Sequence, residues 1–114
     1  MVLKDKISID DLINNGNSCY PDRIKFCIDI KNEIVAIDES MHIDMEYELL
    51  DEGSNPENIY GGDIIIDKRP EYSFVWEAHP NLERNRLNGT GVGRRLDDVN
   101  IIDKLFDILK QWVI

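Results

Sequence analysis

The sequence predicts an α+β domain: an antiparallel sheet of about four strands with helices packed on one face, in the order α-β-β-α-β-β-α. Three observations carry that expectation. Two pairs of short apolar segments, the first of them alternating, are each joined by a short polar turn, as hairpins are. A segment rich in Glu and Leu separates the pairs and closes at Gly53-Ser54. A broad apolar stripe at helical spacing runs through the C-terminal segment. The 114 residues suit a single domain, 1–114.

SIDDLINN, from Ser8 to Asn15, reads as a short helix. Ser8 is its N-cap, Asp10 and Asp11 complement the dipole of the first turn, and Gly16 is a stop. NGNSCYPD is a loop. In IKFCIDI, Ile24, Phe26, Ile28 and Ile30 share one face, and Lys25, Cys27 and Asp29 share the other. That is the pattern of a half-buried strand. KNE turns the chain, and IVAID returns as the second strand of a hairpin.

MHIDMEYE follows, from Met41 to Glu48. It alternates like a strand, yet Ile43–Tyr47, Met45–Leu49 and Tyr47–Leu50 also satisfy helix spacing. The Glu and Leu residues and the closing Gly53-Ser54 favour a helix from about Ile43 to Glu52. SNPEN is a loop. NIYGGDIIID supplies a third strand centred on Ile64 to Ile66, with a bulge or close backbone approach at Gly61-Gly62. YSFVWEAH is the fourth strand. Pro80 to Asp97 shows no periodicity and reads as a long loop, a length usually reserved for function or disorder. Asp97 or Asp98 then caps a helix whose apolar stripe is Ile101, Ile102, Leu105, Phe106, Leu109, Trp112 and Val113.

Composition narrows the class. Hydrophobic residues make up 42% and charged residues 32%, which suits a core and a wet surface. No apolar run approaches the length that spans a bilayer. The charged start MVLKDKISIDD does not resemble a signal peptide, so a cytoplasmic location is expected. With 23 acids against 13 bases the net charge is −10, which repels nucleic acid and anionic lipid and suits solubility first, or a basic partner. Cys19 and Cys27 lack zinc-site spacing; Cys27 sits in an apolar run and reads as a buried thiol.

His42, Asp44 and Glu46 are the first chemical candidates. On a strand the three would point together and could hold a divalent metal. On a helix His42 and Glu46 share a face, Asp44 departs, and a third ligand must come from Asp63 or His79. No metal or cofactor is expected, because outward polar residues on an amphipathic element, or a histidine hydrogen-bonded to an acid, explain the pattern better. GTGVGRR, from Gly89 to Arg95, has glycines and arginines suited to phosphate, but it matches neither a Walker A motif nor a dinucleotide fingerprint. Trp76, Asn81 and Arg84 lie at the exit of the fourth strand, a usual place for a binding site. Tyr60 and Trp76 could hold a cation against a ring face.

His42-x-Asp44-x-Glu46-x-x-Leu49-Leu50-x-x-Gly53-Ser54, followed by Ile59-Tyr60-Gly61-x-Asp63, resembles a small bacterial family of unknown function. That family carries E-L-H-A-D-x-E, then L-L, G-S and L-W-G-x-N at the same spacing. The likeness extends loosely to Asn81-Leu82, set against N-I-R-P, and covers roughly residues 24 to 114. Tyr60 replaces a tryptophan, Asp63 an asparagine, and Glu83-Arg84 the R-P pair. The resemblance implies no activity; it groups His42, Asp44, Glu46, Asp63, Asn81 and Arg84. The chain is also similar in kind to small acidic proteins of integron-type mobile gene cassettes and to immunity partners of toxins.

The functional expectation is a non-catalytic binding module for a protein partner or a small cationic ligand. Its candidate residues are His42, Asp44, Glu46, Tyr60, Asp63, Trp76, Asn81 and Arg84. The alternatives are a small metal- or carboxylate-dependent enzyme using His42, Asp44 and Glu46, and an immunity protein that neutralises a basic partner. A homodimer through exposed residues of Met41–Tyr47 or Tyr72–Trp76 is a further expectation.

Overall fold

The computed structural model describes residues 1–15, 20, 22–66, 73–77 and 98–113. Within them the elements run α1 (Ile9–Asn15), β1 (Arg23–Asp29), β2 (Ile34–Ile37), α2 (His42–Asp51), a 3-10 turn (Pro56–Asn58), β3 (Ile59–Ile65), β4 (Ser73–Glu77) and α3 (Val99–Trp112). The strands form one antiparallel sheet in the order β2-β1-β3-β4. The expected loop from Pro80 to Asp97, with its GTGVGRR segment, lies outside the described residues, as do Cys19, Tyr72, His79, Asn81 and Arg84.

Local chemistry sets the element ends. Ser8 Oγ accepts from the Asp11 N–H at 3.0 Å, a cap for α1. Asp98 caps α3 by accepting from the N–H groups of Asn100 and Ile101. At the β1–β2 turn Asp29 Oδ1 accepts from the N–H groups of Lys31 and Asn32 at 2.9 and 3.0 Å, so the buried carboxylate satisfies turn N–H groups that have no strand partner. Helix α2 ends in a Schellman motif: Gly53, at φ 95°, donates to Leu50 O, and Ser54 donates to Leu49 O.

The main core lies on one face of the sheet. Ile24, Phe26 and Ile28 of β1 pack there with Val35, Ile37, Tyr60, Ile64 and Trp76, under Leu12 of α1 and Leu105, Ile108 and Leu109 of α3. Each fully buried aliphatic or aromatic side chain contributes on the order of 1.5–3 kcal/mol relative to exposure. Cys27 faces the other way, into a second cluster with Ala36, Ile59 and the α2 residues Met45 and Leu49. The expectation of helices on one face is therefore corrected: α1 and α3 cover one side, and α2 covers the reverse.

The reason is a row of small residues. Ala36, Cys27 and Gly61 are direct neighbours across β2, β1 and β3. They form a shallow trough that admits Met45 and Leu49, both with no exposed surface. Read along β1 alone, the polar Lys25 and Asp29 beside Cys27 mimic a wet face, and the row exists only once register is fixed.

The Gly61-Gly62 pair is not a bulge. Pairing runs unbroken from Arg23–Ile65 to Asp29–Ile59, so β3 begins at Ile59 and passes straight through both glycines. Gly62 stands directly between Phe26 on β1 and Trp76 on β4. With no side chain at Gly62, the flanking rings meet across it edge to face, centroids 5.4 Å apart. The backbone N–H of Leu3 donates to Val35 O, and that of Ile37 to Met1 O, so the N-terminal segment covers the outer edge of β2.

Candidate functional site

On the α2 face, odd-numbered residues of β1 and β3 come together beneath the first turn of the helix. Antiparallel register sets Lys25 directly opposite Asp63. Arg23, two residues earlier on β1, reaches the same carboxylate. His42 enters from above as the first residue of α2. One buried carboxylate thus meets three basic side chains from two elements.

Asp63 is 2% exposed. Its Oδ2 accepts from the Arg23 guanidinium at 3.3 Å, and Lys25 Nζ lies 3.5 Å from Oδ1. His42 Nε2 is 2.9 Å from Gly62 O and 3.2 Å from Asp63 Oδ1. Both neighbours are acceptors, so Nε2 carries the hydrogen. The hydrogen bond goes to the carbonyl, and Asp63 Oδ1 makes ion-pairing contacts without a hydrogen bond of good geometry. Burial alone would push the Asp63 carboxyl up. The His42 N–H and any charge on its ring, with the charges of Lys25 and Arg23, outweigh burial and hold it below the usual carboxylate value.

An outer ring supports the cluster. Arg23 also pairs with Asp22 at 3.2 Å, which lowers the Asp22 carboxyl and raises the guanidinium. Lys25 Nζ stands 5.2 Å from the Tyr20 ring centroid, and the Tyr20 hydroxyl donates to Ser40 O at 2.8 Å. The Cys27 thiol donates to the backbone carbonyl of His42 at 3.4 Å. The start of α2 is tied to the sheet through that thiol and through the imidazole.

The candidate residues named from the sequence separate into groups. His42, Glu46 and Asp63 are buried on the α2 face. Asp44 is exposed on another side of α2, because two residues on a helix are about 200° apart. Tyr60 and Trp76 are 6% and 8% exposed, within the main core on the opposite face of the sheet. They are not walls of a cleft around His42, since strand alternation sends them away from Asp63. Asn81 and Arg84 lie outside the described residues. Among the described residues no three His, Cys, Asp or Glu side chains converge as an ion-binding group.

Arg23, Lys25 and Tyr20 belong to the cluster although sequence patterning did not single them out. The available signal was the alternation Arg23-x-Lys25, which puts two cations on one strand face. Their acid partner is forty residues away from Arg23 and is fixed only by β1–β3 register. An open groove of about 500 Å³, lined by Lys4, Asp5, Lys6, Gln111 and Trp112, shares no residue with the cluster. No described helix is long and apolar enough to cross a membrane.

A family model described as a protein of unknown function (DUF5674) matches residues 1–112. No curated protein and no solved structure matches the chain.

Proposed function

The chain belongs to the DUF5674 family of proteins of unknown function, and we propose that it is a non-catalytic binding module whose acidic surface engages a protein partner. The observation that carries this reading is the contrast between the two sides of α2. Beneath it, a buried polar cluster of the described residues is spent on internal pairing: Asp63 faces Arg23, Lys25 and His42 and is held ionised, which makes it a weak base. Above it, Ile43 and Tyr47 are 36% and 60% exposed. Large exposed side chains grouped on one element suit recognition more than chemistry.

A protein partner is favoured over a small cationic ligand because Tyr60 and Trp76, the rings that would cage a cation, are core residues. Neutralisation of a basic toxin is one form of this reading. The test is affinity capture from a host-cell extract at low salt, with wild type and a Tyr47→Ala variant of equal helicity as baits. A protein retained by wild type and lost from Tyr47→Ala supports the reading; identical retention on both baits, or none, counts against it.

A further inference from the structure

Resting on the binding-module reading, we infer that the outward face of α2 docks an amphipathic helix carrying Lys or Arg beside an apolar stripe. Ile43, Tyr47 and Leu50 follow the i, i+4, i+7 spacing that lines up on one side of a helix. Ile43 and Tyr47 are exposed, and Leu50 is half-buried. Asp44, Glu48 and Asp51 form a second row at the same spacing, about 100° around the axis from the first. The inward face of α2, with His42, Met45, Glu46 and Leu49, is already committed to the sheet.

Charge identifies the occupant. The α2 sequence, HIDMEYELLD, contains no Lys or Arg. Glu48 is engaged by the Met1 amine and Glu52, just past the helix, by Lys4, both at the surface. Among the described residues no basic side chain pairs with Asp44 or Asp51. Asp51, Glu48 and Glu52 also form one wall of an open groove of about 380 Å³ that the N-terminal residues Met1, Val2 and Lys4 complete. Among the described residues, Asp44 and Asp51 therefore flank the apolar row without a basic partner, and Glu48 between them meets only the surface Met1 amine. A second copy docked through α2 would bring no Lys or Arg of its own helix to the acidic row, and docked antiparallel it would set the two acidic rows together, which is unfavourable. A basic amphipathic helix satisfies both rows at once. Two turns offer less than a standard interface, so the complex is weak and electrostatically steered.

The probe is a fluorescein-labelled Leu/Lys amphipathic peptide of about 18 residues, long enough to hold a helix. Its controls are a scrambled peptide of the same composition and a Leu/Glu counterpart. Binding to the full chain is followed by anisotropy and mapped by amide chemical shifts. The amphipathic basic peptide should bind best and shift the amides of Ile43, Asp44, Tyr47 and Asp51. Tyr47→Ala and Ile43→Ser should each weaken it about tenfold, as loss of a contact at the centre of a small interface does. Val99→Ser, at an equally exposed apolar position on α3, should leave it unchanged.

Equal effects of Val99→Ser and Tyr47→Ala, or shifts elsewhere on the surface, would overturn the α2 site while leaving a binding module standing. Scrambled or acidic peptide binding as well as the amphipathic basic one would overturn the partner chemistry. Concentration-dependent dimerisation abolished by Tyr47→Ala would assign the face to a second copy instead. No binding by any peptide would also overturn the inference, and extract capture would still judge the module reading separately.

Discussion

His42 Nε2 lies 3.2 Å from Asp63 Oδ1 and 2.9 Å from Gly62 O, so one imidazole joins the first turn of α2 to the third strand. The helix depends on that link because its own N-cap, Met41, makes no side-chain cap hydrogen bond. Asp63→Ala would leave His42, Lys25 and Arg23 without their shared acid. Lys25 and Arg23 keep some contact with water. The expected loss is therefore about 2 kcal/mol, below that for a wholly buried pair. A double-mutant cycle with His42→Ala, read by urea unfolding, should give about 1 kcal/mol of coupling; additive losses would show that the two side chains do not interact.

Asp63 also makes stability depend on pH with a defined sign. Its carboxyl is held below the ordinary value of 3.8 in the folded chain. The contribution is therefore complete above that value and disappears as pH falls through the folded one. The stability gap between wild type and Asp63→Asn should shrink as pH falls below about 4. A gap that grows below about pH 4 would contradict the assigned direction. Subtracting the variant removes the titration of the many surface acids.

Cys27 has no exposed surface, and its thiol donates to His42 O. In a Cys19→Ser background, a disulfide reagent should find no reactive thiol in the folded protein and one in urea. Rapid labelling without denaturant would mean that α2 lifts readily from the trough formed by Ala36, Cys27 and Gly61.

Gly53 closes α2 at φ 95°, and a side chain added there meets open space. Gly53→Ala should therefore cost only the left-handed backbone strain, about 1 kcal/mol. The urea midpoint measures it. A loss several times larger would indicate a steric role for the position that the open surroundings do not suggest.

Elements with strong local signals were legible in the sequence. The Ser8 and Asp98 caps, the turn after Asp29, the helix between Met41 and Gly53 and the stripe of α3 all rest on contacts within a few residues. The residues within α2 also sorted as its helical spacing required, with His42 and Glu46 inward and Asp44 outward. The hairpin pairings β1–β2 and β3–β4 were also legible; what was not legible was which residues stand beside one another across strands. Tyr60 and Trp76 looked available for a ligand and are core. Lys25 looked like a solvated side chain and stands over a buried acid. Gly61-Gly62 suggested a bulge or a close backbone approach, and the unbroken ladder removes the bulge.

The sequence by itself determined an acidic α+β domain, its helix ends and the apolar composition of its core, because those follow from short-range periodicity and capping. Tertiary structure decided which strand face each residue meets. Register alone set Asp63 against Lys25, placed Gly62 between Phe26 and Trp76, and aligned Ala36, Cys27 and Gly61 into a seat for α2. A one-residue slip would send every one of these side chains to the other face. Such pairing is decided by how both faces of the sheet pack, which no single segment encodes.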